Sequence, residues 1–408
     1  MRKRKILALC DFGNTGISES IRLPLAHLHE QGHEVWQLGL GYNGWSNRID
    51  RKMYPWGDRM LPIFGRSDHD RFGQQAIAEA LEVSGAEILV TAFDVWMVQW
   101  LAQPEMMPYL TPQTHKAIDH ATRKFTHLAY FPIDGAIDGL YLPTAPAQGM
   151  EEAIAGFDVP VTYSRFAQEV ISRSMNLDVP FIPICHDGDV YKPMNKAEAR
   201  KEFGLPKDAF VIGMVATNQY RKLWGDFFDA VVPLLRKYPN MYAFPWTTWD
   251  MKIMGGSEIR DYAYRSGVDS QIIAPGELVG TFSDEGMAKL YNTFDLLTLC
   301  TVGEGAGLPP IRARACGVPA LVQDHSSNTE FAGHKLELIP NRGTFYDPLG
   351  SNLLRYLPDV QAMTDRIEQL YRNKLLRDEV GGVALAQMAV YRKENVLPKW
   401  EKLIEEID

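Results

Sequence analysis

The sequence predicts an α/β fold made of two Rossmann-like domains, each a parallel sheet covered by helices. The chain has 408 residues, 46% of them hydrophobic, which is too long for one ordinary core and sufficient for two. Short apolar runs of strand length alternate with segments of helical period, as parallel strands joined by crossover helices require. A stretch rich in proline and glycine separates two such series, so it is the predicted interdomain linker.

The first series opens with a strand–helix–strand unit. KILALCDF predicts the first strand, SESIRLPLAHLHEQG the helix and HEVWQLGL the second strand. Three more short apolar runs predict further parallel strands: EILVTAF, HLAYFPI and PVTYS. We expect these elements to form an N-terminal domain over residues 1–190.

The second series begins after the linker. Five apolar runs predict its strands: AFVIGMVA, NMYAFPWTT, SQIIAP, DLLTLC and VPALVQD. The C-terminal tail is helical in its period and charge pairing, with a break expected at Gly381 and Gly382. We expect a C-terminal domain over residues 191–384. A helix over about 385–408 is expected to belong with the N-terminal domain and to pack across both.

Composition narrows the function classes. The formal net charge of −9 is spread along the chain, which argues against a protein-wide grip on nucleic acid or an anionic membrane. No apolar run approaches the ~20 residues of a membrane span, and the apolar stretch after the basic start is too short for a signal peptide. The cysteines follow no CxxC spacing, so we expect neither a zinc site nor a disulfide framework, and a cytoplasmic protein.

The clearest candidate for a ligand site is EGAGLPP at residues 304–310. It follows the predicted strand DLLTLC and precedes a helix expected to begin near Pro309 or Pro310. Glycines permit close ligand approach, and the N–H groups of a helix N-terminus favour an anion such as a diphosphate. The Glu304 carboxylate is suited to accept bonds from sugar hydroxyls. An ordinary glycine-rich turn with a capping glutamate explains the same pattern.

Two further turns follow predicted strands. Arg221 and Lys222 come just after AFVIGMVA, where two cations suit a pyrophosphate, and a solvated surface pair is the alternative. DFGNTG at residues 11–16 follows the first strand, and its glycines permit approach to a ligand from the opposite domain. This turn lacks the GxGxxG pattern, and glycine serves many turns for conformational reasons alone.

The order of these segments resembles that of the family 4 glycosyltransferases of the GT-B fold, over most of the chain. IPICHDGDVYKP is similar to the family's linker, usually IPHGVDxxVFKP, and VIGMVATNQYRK to its phosphate-binding strand and loop. MAKLYNTFDLLTLCTVGEGAGLPPIRARACGVPALVQD is similar to its donor-site signature. The resemblance implies two Rossmann-like domains facing across a cleft and a retaining transferase that needs no metal. The C-terminal domain would bind the donor and the N-terminal domain the acceptor.

The resemblance also implies roles for individual residues. Glu304 matches the first acid of the family's E-x7-E motif, which holds the hydroxyls of the donor sugar. Lys222 matches the lysine that steadies the diphosphate, with Arg221 beside it as helper. The remaining matched positions supply backbone donors to the donor or a glycine turn over its phosphates: Ala306, Gly307, Leu308 and Gly16.

Three predicted site residues depart from the family pattern. Arg312 stands where a second acid binds the nucleotide ribose. Losing that carboxylate costs on the order of 2–4 kcal/mol, so another group must compensate or the donor differs. Thr217 stands where many members carry a first diphosphate arginine, a task left to Arg221. Where many members have an active-site histidine, Asp134 is the candidate for chemistry, or else part of a turn-forming Asp-Gly pair.

Two other patterns bear on metal and acceptor. Asp187-Gly-Asp189 has the DxD form of metal-dependent transferases, but it lies in the linker, so a turn is the better interpretation and we expect no metal. Residues 48–72 interleave cations with aromatic rings, which suits phosphates and stacked bases: Arg48, Arg51, Lys52, Arg59, Arg66, Arg71, Tyr54, Trp56, Phe64 and Phe72. Aspartates dilute this segment, so a solvated, salt-bridged loop is the favoured interpretation.

The predicted function is transfer of a sugar from a nucleoside-diphosphate sugar to a hydroxyl acceptor with retention of configuration. We expect no cofactor beyond this co-substrate, and UDP or GDP as its nucleotide. The expected acceptor is a carbohydrate, a lipid-linked molecule or a small molecule, with hydroxymethylated DNA as a minority alternative. A hydrolase or epimerase of the same fold, and a non-catalytic sugar- or partner-binding protein, remain open alternatives.

Overall fold

The structure is a computed structural model that describes residues 2–44, 49–63, 71–135, 145–249, 255–275, 279, 282–347 and 353–407. Its strands are β1 Lys5–Asp11, β2 Glu34–Leu40, β3 Met60–Pro62, β4 Ile88–Ala92, β5 Thr126–Phe131, β6 Val159–Thr162, β7 Phe210–Val215, β8 Met241–Trp246, β9 Leu296–Leu299, β10 Ala320–Gln323, β11 Leu338–Ile339, β12 Asn341–Tyr346 and β13 Leu354–Pro358.

Helices alternate with these strands along the chain. Their bounds are α1 Gly16–Glu30, α2 Ile77–Ser84, α3 Val95–Ala102, α4 Pro112–Ile118, α5 Ala145–Gly156, α6 Arg165–Met175, α7 Lys196–Glu202, α8 Trp224–Lys237, α9 Ile259–Arg265, α10 Asp284–Thr293, α11 Leu308–Ala315, α12 Asn328–Phe331, α13 Val360–Arg372, α14 Lys374–Met388 and α15 Lys393–Glu406.

The strands form two parallel sheets and one antiparallel hairpin. The first sheet has the order β3-β2-β1-β4-β5-β6 and the second the order β11-β10-β9-β7-β8. β12 and β13 pair as the hairpin. The order of strands reverses between β1 and β4 in the first sheet, and between β7 and β9 in the second. Ligands of open α/β sheets bind outside the carboxyl ends of the strands at such points, so each sheet offers one edge for a site.

The central strands explain why the sequence shows continuous apolar runs. β4, β7 and β9 are buried at every residue, because helices cover both faces of each sheet. Short polar side chains begin the intervening helices by accepting an N–H bond from the first turn, as Thr15 does for α1, Ser164 for α6 and Ser283 for α10. The sequence prediction of two Rossmann-like domains is confirmed.

One predicted strand is wrong. In SQIIAP, Asp269–Gln271 form a single 3₁₀ turn, and Ile272 makes an isolated bridge to Ala243. The side chain of Gln271 donates to the carbonyl oxygens of Leu235, Tyr238 and Met241 at 2.8–3.0 Å, which ties the segment to the turn between α8 and β8. The short strands β3 and β11 and the hairpin were not predicted.

The expected helix break at Gly381 and Gly382 is also wrong, because α14 runs through both residues. A Cβ atom at Gly381 would lie 2.5 Å from the carbonyl oxygen of Gly317, whereas one at Gly382 would meet nothing within 4 Å. Gly381 therefore allows close packing of α14 against the end of α11 and does not end the helix.

The C-terminal segment crosses from the second domain to the first as two helices. α14 packs against α11 and α13, and α15 packs against α1. On α15, Trp400 is buried and its ring meets Tyr130 edge-on with centroids 4.8 Å apart, while Arg4 donates to the carbonyl oxygen of Ile407. The prediction that the C-terminus packs across both domains is confirmed. The helix predicted to begin near Pro309 begins at Leu308.

Two further findings concern the cysteines and the helices. All four cysteines are buried and unpaired. Among the helices in the described ranges, none combines the length and apolar character needed to cross a membrane.

Candidate functional site

The candidate site lies where the loops after β7 and β9 meet. Tyr220–Lys222 form one 3₁₀ turn, and the backbone oxygen of Arg221 accepts from Val302 N at 3.0 Å, which joins the two loops. Gly307, with φ of 75°, precedes the first turn of α11. This is the point of the second sheet at which the strand order reverses, so the structure brings the predicted Lys222 and Glu304 together at the expected edge.

Glu304 is the centre of a buried charge cluster. Its Oε1 accepts from Lys222 Nζ and from Thr301 Oγ1, the latter at 2.8 Å, and Arg221 Nη1 lies 3.5 Å away. Glu304 and Lys222 are both buried. The Glu304 backbone is held as well, because its N–H donates to the hydroxyl of Ser326 at 3.0 Å. The carboxylate is therefore fixed in position with one oxygen already paired to cations.

Burial and pairing set the charge states of this cluster. Burial and the neighbouring Arg221 lower the pKa of Lys222 to about 8, although Glu304 opposes the shift. Burial alone would raise the pKa of Glu304, but Lys222 and Arg221 outweigh it and hold that pKa below its usual value. At neutral pH the cluster thus holds an ionised acceptor and two cations, a composition suited to sugar hydroxyls and a phosphate.

A third cation, Arg355, reaches the same place from the β12–β13 hairpin. Its Nη1 lies 2.6 Å from Asp134 Oδ1 of the N-terminal domain, and its Nη2 lies 3.2 Å from Asp347. Burial would raise the pKa of Asp134, yet Arg355 and Arg221 hold it below its usual value. The sequence prediction placed Asp134 in the site and missed Arg355, because the hairpin gave no recognisable pattern.

Asp94 is a second residue that the sequence prediction missed. It follows β4 and precedes α3, so it lies at the carboxyl edge of the first sheet. Burial and the nearby Asp134 raise the pKa of Asp94 to about 6, against the opposing effect of Arg221 and Arg355. The signal for it was present in the sequence, since an aspartate directly after EILVTAF occupies a position typical of ligand contacts.

Glycines let the two domains touch beside Glu304. A Cβ atom at Gly303 would fall on the carbonyl oxygen of Asp134, and one at Gly305 would fall on the ring of Pro132. Any larger residue at these positions would push the N-terminal domain away from the Glu304 loop. Gly16, at the start of α1, has open space around its Cβ position.

Arg312 is engaged between the domains. Its Nη1 lies 2.6 Å from Glu19 on α1 and its Nη2 3.6 Å from Asp284, and its guanidinium lies 4.7 Å from the ring centroid of Tyr191. Asp284 also pairs with Arg22 of α1 at 2.6 Å. The structure therefore gives Arg312 an interdomain contact, and its role in donor binding stays a prediction.

The remaining predicted donor residues lie around the same two loops. Thr217 is exposed just after β7, and its backbone oxygen accepts from Gln219 N at 2.9 Å. Ala306 and Leu308 are buried at the start of α11, on either side of Gly307. Their contacts with a donor stay predictions.

The linker aspartates form a turn, as expected. Asp187 Oδ1 accepts from Asp189 N at 2.9 Å, and Asp187 Oδ2 lies 2.7 Å from Lys393 Nζ. Within the described residues, no group of three or more His, Cys, Asp or Glu side chains is arranged to hold a metal ion.

Two aromatic residues of the segment 48–72 lie in the core. Tyr54 and Trp56 are 2% and 1% exposed, and Tyr54 accepts from Gly13 N at 2.9 Å, so neither ring is open to a nucleic acid. Arg51 is paired with Asp58. Arg48, Phe64 and Arg66 lie outside the described residues. The alternative of base stacking is therefore excluded for Tyr54 and Trp56, and the favoured interpretation of a solvated loop does not hold for these two residues either, because both are in the hydrophobic core.

No protein-family model matches the chain. It is 27% identical over 158 residues to the lipopolysaccharide core biosynthesis mannosyltransferase LpsB of Rhizobium meliloti, covering 38% of this chain and 43% of that protein. It is 25% identical over 234 residues to the D-inositol 3-phosphate glycosyltransferase of Stackebrandtia nassauensis, covering 54% and 49%. The matches therefore span less than half the length of these curated relatives.

Solved structures resemble the whole chain. Sucrose-phosphate synthase from Thermosynechococcus elongatus superposes with a TM-score of 0.73 and 15% identity, covering 100% of this chain and 99% of that one. HepE of Anabaena in complex with UDP-glucose superposes with a TM-score of 0.69 and 12% identity, covering 98% and 99%. The chain has the GT-B fold, and its sequence relatives and structural neighbours are GT-B glycosyltransferases.

Proposed function

We propose that the protein is a retaining glycosyltransferase that moves a sugar from a nucleoside-diphosphate sugar to a hydroxyl acceptor, with UDP or GDP as the nucleotide. The observation that carries the proposal is the buried cluster of Arg221, Lys222 and Glu304 where the strand order of the C-terminal sheet reverses. The complexes of HepE with UDP and with UDP-glucose, in the same fold, support a nucleotide-sugar donor.

The donor would be held by charge and by backbone amides. Arg221 and Lys222 offer charge-assisted bonds to the diphosphate, each worth about 1.5–3 kcal/mol. Backbone N–H groups would come from the turn that leads into α11, at Ala306, Gly307 and Leu308, because Pro309 and Pro310 carry no N–H and Ile311 N donates to Gly307 O at 3.2 Å. Glu304 has one oxygen paired with cations and stays ionised, so its carboxylate accepts hydrogen bonds from hydroxyl groups of the donor sugar.

The transfer breaks the bond between the sugar's anomeric carbon and the diphosphate oxygen and forms a bond to the acceptor oxygen on the same face. The electron pair leaves with the diphosphate, whose growing charge Lys222 and Arg221 stabilise. The acceptor's proton passes to an oxygen of the departing phosphate. Asp134 is ionised and paired with Arg355, so it positions that guanidinium beside the reacting groups.

Several features of the proposal concern the surroundings of the reaction. Contact of Gly303 and Gly305 with the N-terminal domain narrows the cleft beside Glu304, which limits competing hydrolysis. The proposed acceptor is a carbohydrate, a lipid-linked molecule or a small molecule, because the burial of Tyr54 and Trp56 weakens the case for DNA. The proposal includes a metal-independent reaction in the reducing cytoplasm.

The first test combines donor binding with turnover. Thermal-shift measurements with UDP-glucose, UDP-N-acetylglucosamine and GDP-mannose should show stabilisation by at least one donor, because a ligand specific for the native state raises its melting temperature. Nucleotide release should then fall about 100-fold or more in Glu304→Gln. The matched control is Glu202→Gln, which removes an exposed carboxylate paired with Lys289 in the same domain. Release should persist in EDTA.

Three results would overturn parts of the proposal. Lack of stabilisation by any donor removes the donor site, and wild-type turnover in a folded Glu304→Gln variant removes the role of Glu304. Inversion at the anomeric carbon, read from the ¹H NMR coupling of the product, removes the retaining mechanism.

A further inference from the structure

A partly open cavity of about 280 Å³ lies in the N-terminal domain. Its lining comes from residues 71–74, from α3 and from Tyr109 beyond α3, and α3 begins directly after Asp94 at the carboxyl edge of the first sheet. The side chains that matter for its chemistry are Arg71, Phe72, Gln74, Trp96, Gln99 and Tyr109.

Two aromatic side chains of this cavity are unusually open. Trp96 is 47% exposed and Tyr109 is 44% exposed. Trp96 is nevertheless held in place, because its ring meets Phe72 edge-on at 5.3 Å, and Phe72 in turn meets the buried Phe93 edge-on at 6.3 Å. The cavity therefore offers a fixed aromatic surface that is half open to solvent.

Polar groups stand beside this surface. Gln74 is 6% exposed and its Oε1 accepts from Phe72 N at 2.8 Å, which fixes its amide at the cavity wall. Gln99 and Arg71 add a second amide and a guanidinium to the lining. This combination suits a ligand with an apolar ring face and hydroxyl groups around its edge. The ring face would pack on the aromatic surface, and the hydroxyl groups would hydrogen-bond to the amide and guanidinium groups.

We infer that this cavity binds one sugar ring of an oligosaccharide or glycoconjugate acceptor, an inference that rests on the proposed function. The C–H face of a sugar ring would lie against Trp96, and its hydroxyl groups would bond to Gln74, Gln99 and Arg71. A volume near the lower end of ligand pockets, which run from about 300 Å³ upward, fits a single ring. A nucleic acid would need cations along its phosphates, and among the lining residues only Arg71 is a cation.

The cavity is connected to the reaction through α3. Trp96 is in the first turn of α3, two residues after Asp94, and Asp94 lies at the carboxyl edge of the first sheet, where the charges of Asp134 and Arg221 act on it. On this connection, the ring bound at Trp96 would be a neighbour of the ring that carries the reacting hydroxyl, and the preferred acceptor would have at least two sugar units.

Saturation-transfer NMR on the full chain tests this without any donor. The probes are the neutral trisaccharides maltotriose, cellotriose and mannotriose, together with a hydroxymethylated DNA oligonucleotide. At least one trisaccharide should bind, Trp96→Ala should weaken it about 10-fold or more, and Trp96→Phe should recover most of the affinity. Leu375→Ala, which truncates an exposed side chain of α14, is the matched control and should bind as wild type.

Each outcome decides the inference. If no trisaccharide binds, or if a folded Trp96→Ala variant binds as well as wild type, the cavity is not a sugar site. Should Tyr109→Ala and Trp96→Ala weaken only the DNA probe, the cavity serves nucleic acid and the inference is equally overturned. Since the measurement uses no nucleotide, trisaccharide binding in a protein that turns over no donor would contradict the proposed function and leave the sugar-binding cavity standing.

Discussion

Replacing Lys222 by glutamine should weaken the binding of UDP. In the structure the Lys222 ammonium donates to Glu304, and burial together with Arg221 lowers its pKa to about 8, so it is charged at neutral pH. Glutamine has a shorter stem, but it keeps a hydrogen-bond donor near Glu304 and removes the positive charge. The variant therefore isolates the electrostatic part of the proposed diphosphate contact.

The expected size follows from that one lost contact. A hydrogen bond to a charged group contributes about 1.5–3 kcal/mol, and each 1.4 kcal/mol is a tenfold change in affinity. The Kd for UDP should therefore rise by about 10- to 150-fold. Arg221 remains, so binding should not be abolished. UMP lacks the terminal phosphate, so the preference for UDP over UMP should shrink in the variant.

Isothermal titration calorimetry of UDP and UMP measures these changes directly. The matched control is Lys196→Gln, because Lys196 is also paired with a carboxylate of the C-terminal domain, Asp295 at 2.9 Å. Asp295 precedes β9, at the end of that strand opposite to Glu304. It should change the Kd by no more than about 2-fold. UDP binding within about 2-fold of wild type in a folded Lys222→Gln variant would refute the proposed phosphate site.

The same contact predicts a pH dependence. Lys222 carries its charge below its pKa of about 8 and loses it above, so the affinity of wild-type protein for UDP should fall as the pH rises through that value. A bound diphosphate favours the charged form, which moves the break upward in the complex. Arginine stays charged throughout this range, so Lys222→Arg should show no such break. An affinity that rises with pH would contradict a charged Lys222 at the phosphate site.

Two further predictions concern other parts of the molecule. Asp94 has a pKa raised to about 6 and is ionised above that pH, so the rate of transfer by wild-type protein should decline below pH 6. Asp94→Asn should be slower at pH 7 and should lack this decline at low pH. An unchanged pH–rate profile in the variant would remove Asp94 from the site. Gly381→Ala should lower the free energy of unfolding by about 1–3 kcal/mol, because its Cβ meets Gly317 O, whereas Gly382→Ala should be neutral or stabilise by up to about 1 kcal/mol. Denaturant melts compare the pair, and equal effects would exclude the packing explanation.

Sequence patterns predicted most of the strands, because parallel strands covered on both faces are continuous apolar runs. The same logic located Arg221, Lys222 and Glu304. Each follows a strand, and carboxyl ends of neighbouring parallel strands meet at one edge. Local sequence was therefore sufficient to predict those candidate site residues whose placement depends only on their position after a strand.

The missed features depend on contacts between distant segments. Arg355 lies on a hairpin whose strands carry no buried, alternating pattern, and its partner Asp134 belongs to the other domain. SQIIAP has the composition of a strand, yet Gln271 ties it to the α8–β8 turn. Gly381 suggested a helix break when only its neighbours in the sequence were considered. A glycine is needed there because the backbone of Gly317, at the end of a helix distant in the chain, packs against it.

Arg312 shows that a family pattern can predict the position of a residue without predicting its contacts. Its position along the chain predicts a contact with the donor, but its charge is opposite to the expected acid, and the structure pairs it with Glu19 on α1 of the other domain. A carboxylate is thus present 2.6 Å from Arg312, although it is supplied across the domain interface. Arg312 also lies 3.6 Å from Asp284, which pairs with Arg22 of α1. A substitution at 312 therefore changes the contact between the domains. A measured change in donor affinity on substitution of Arg312 therefore has to be interpreted together with the lost contact to Glu19.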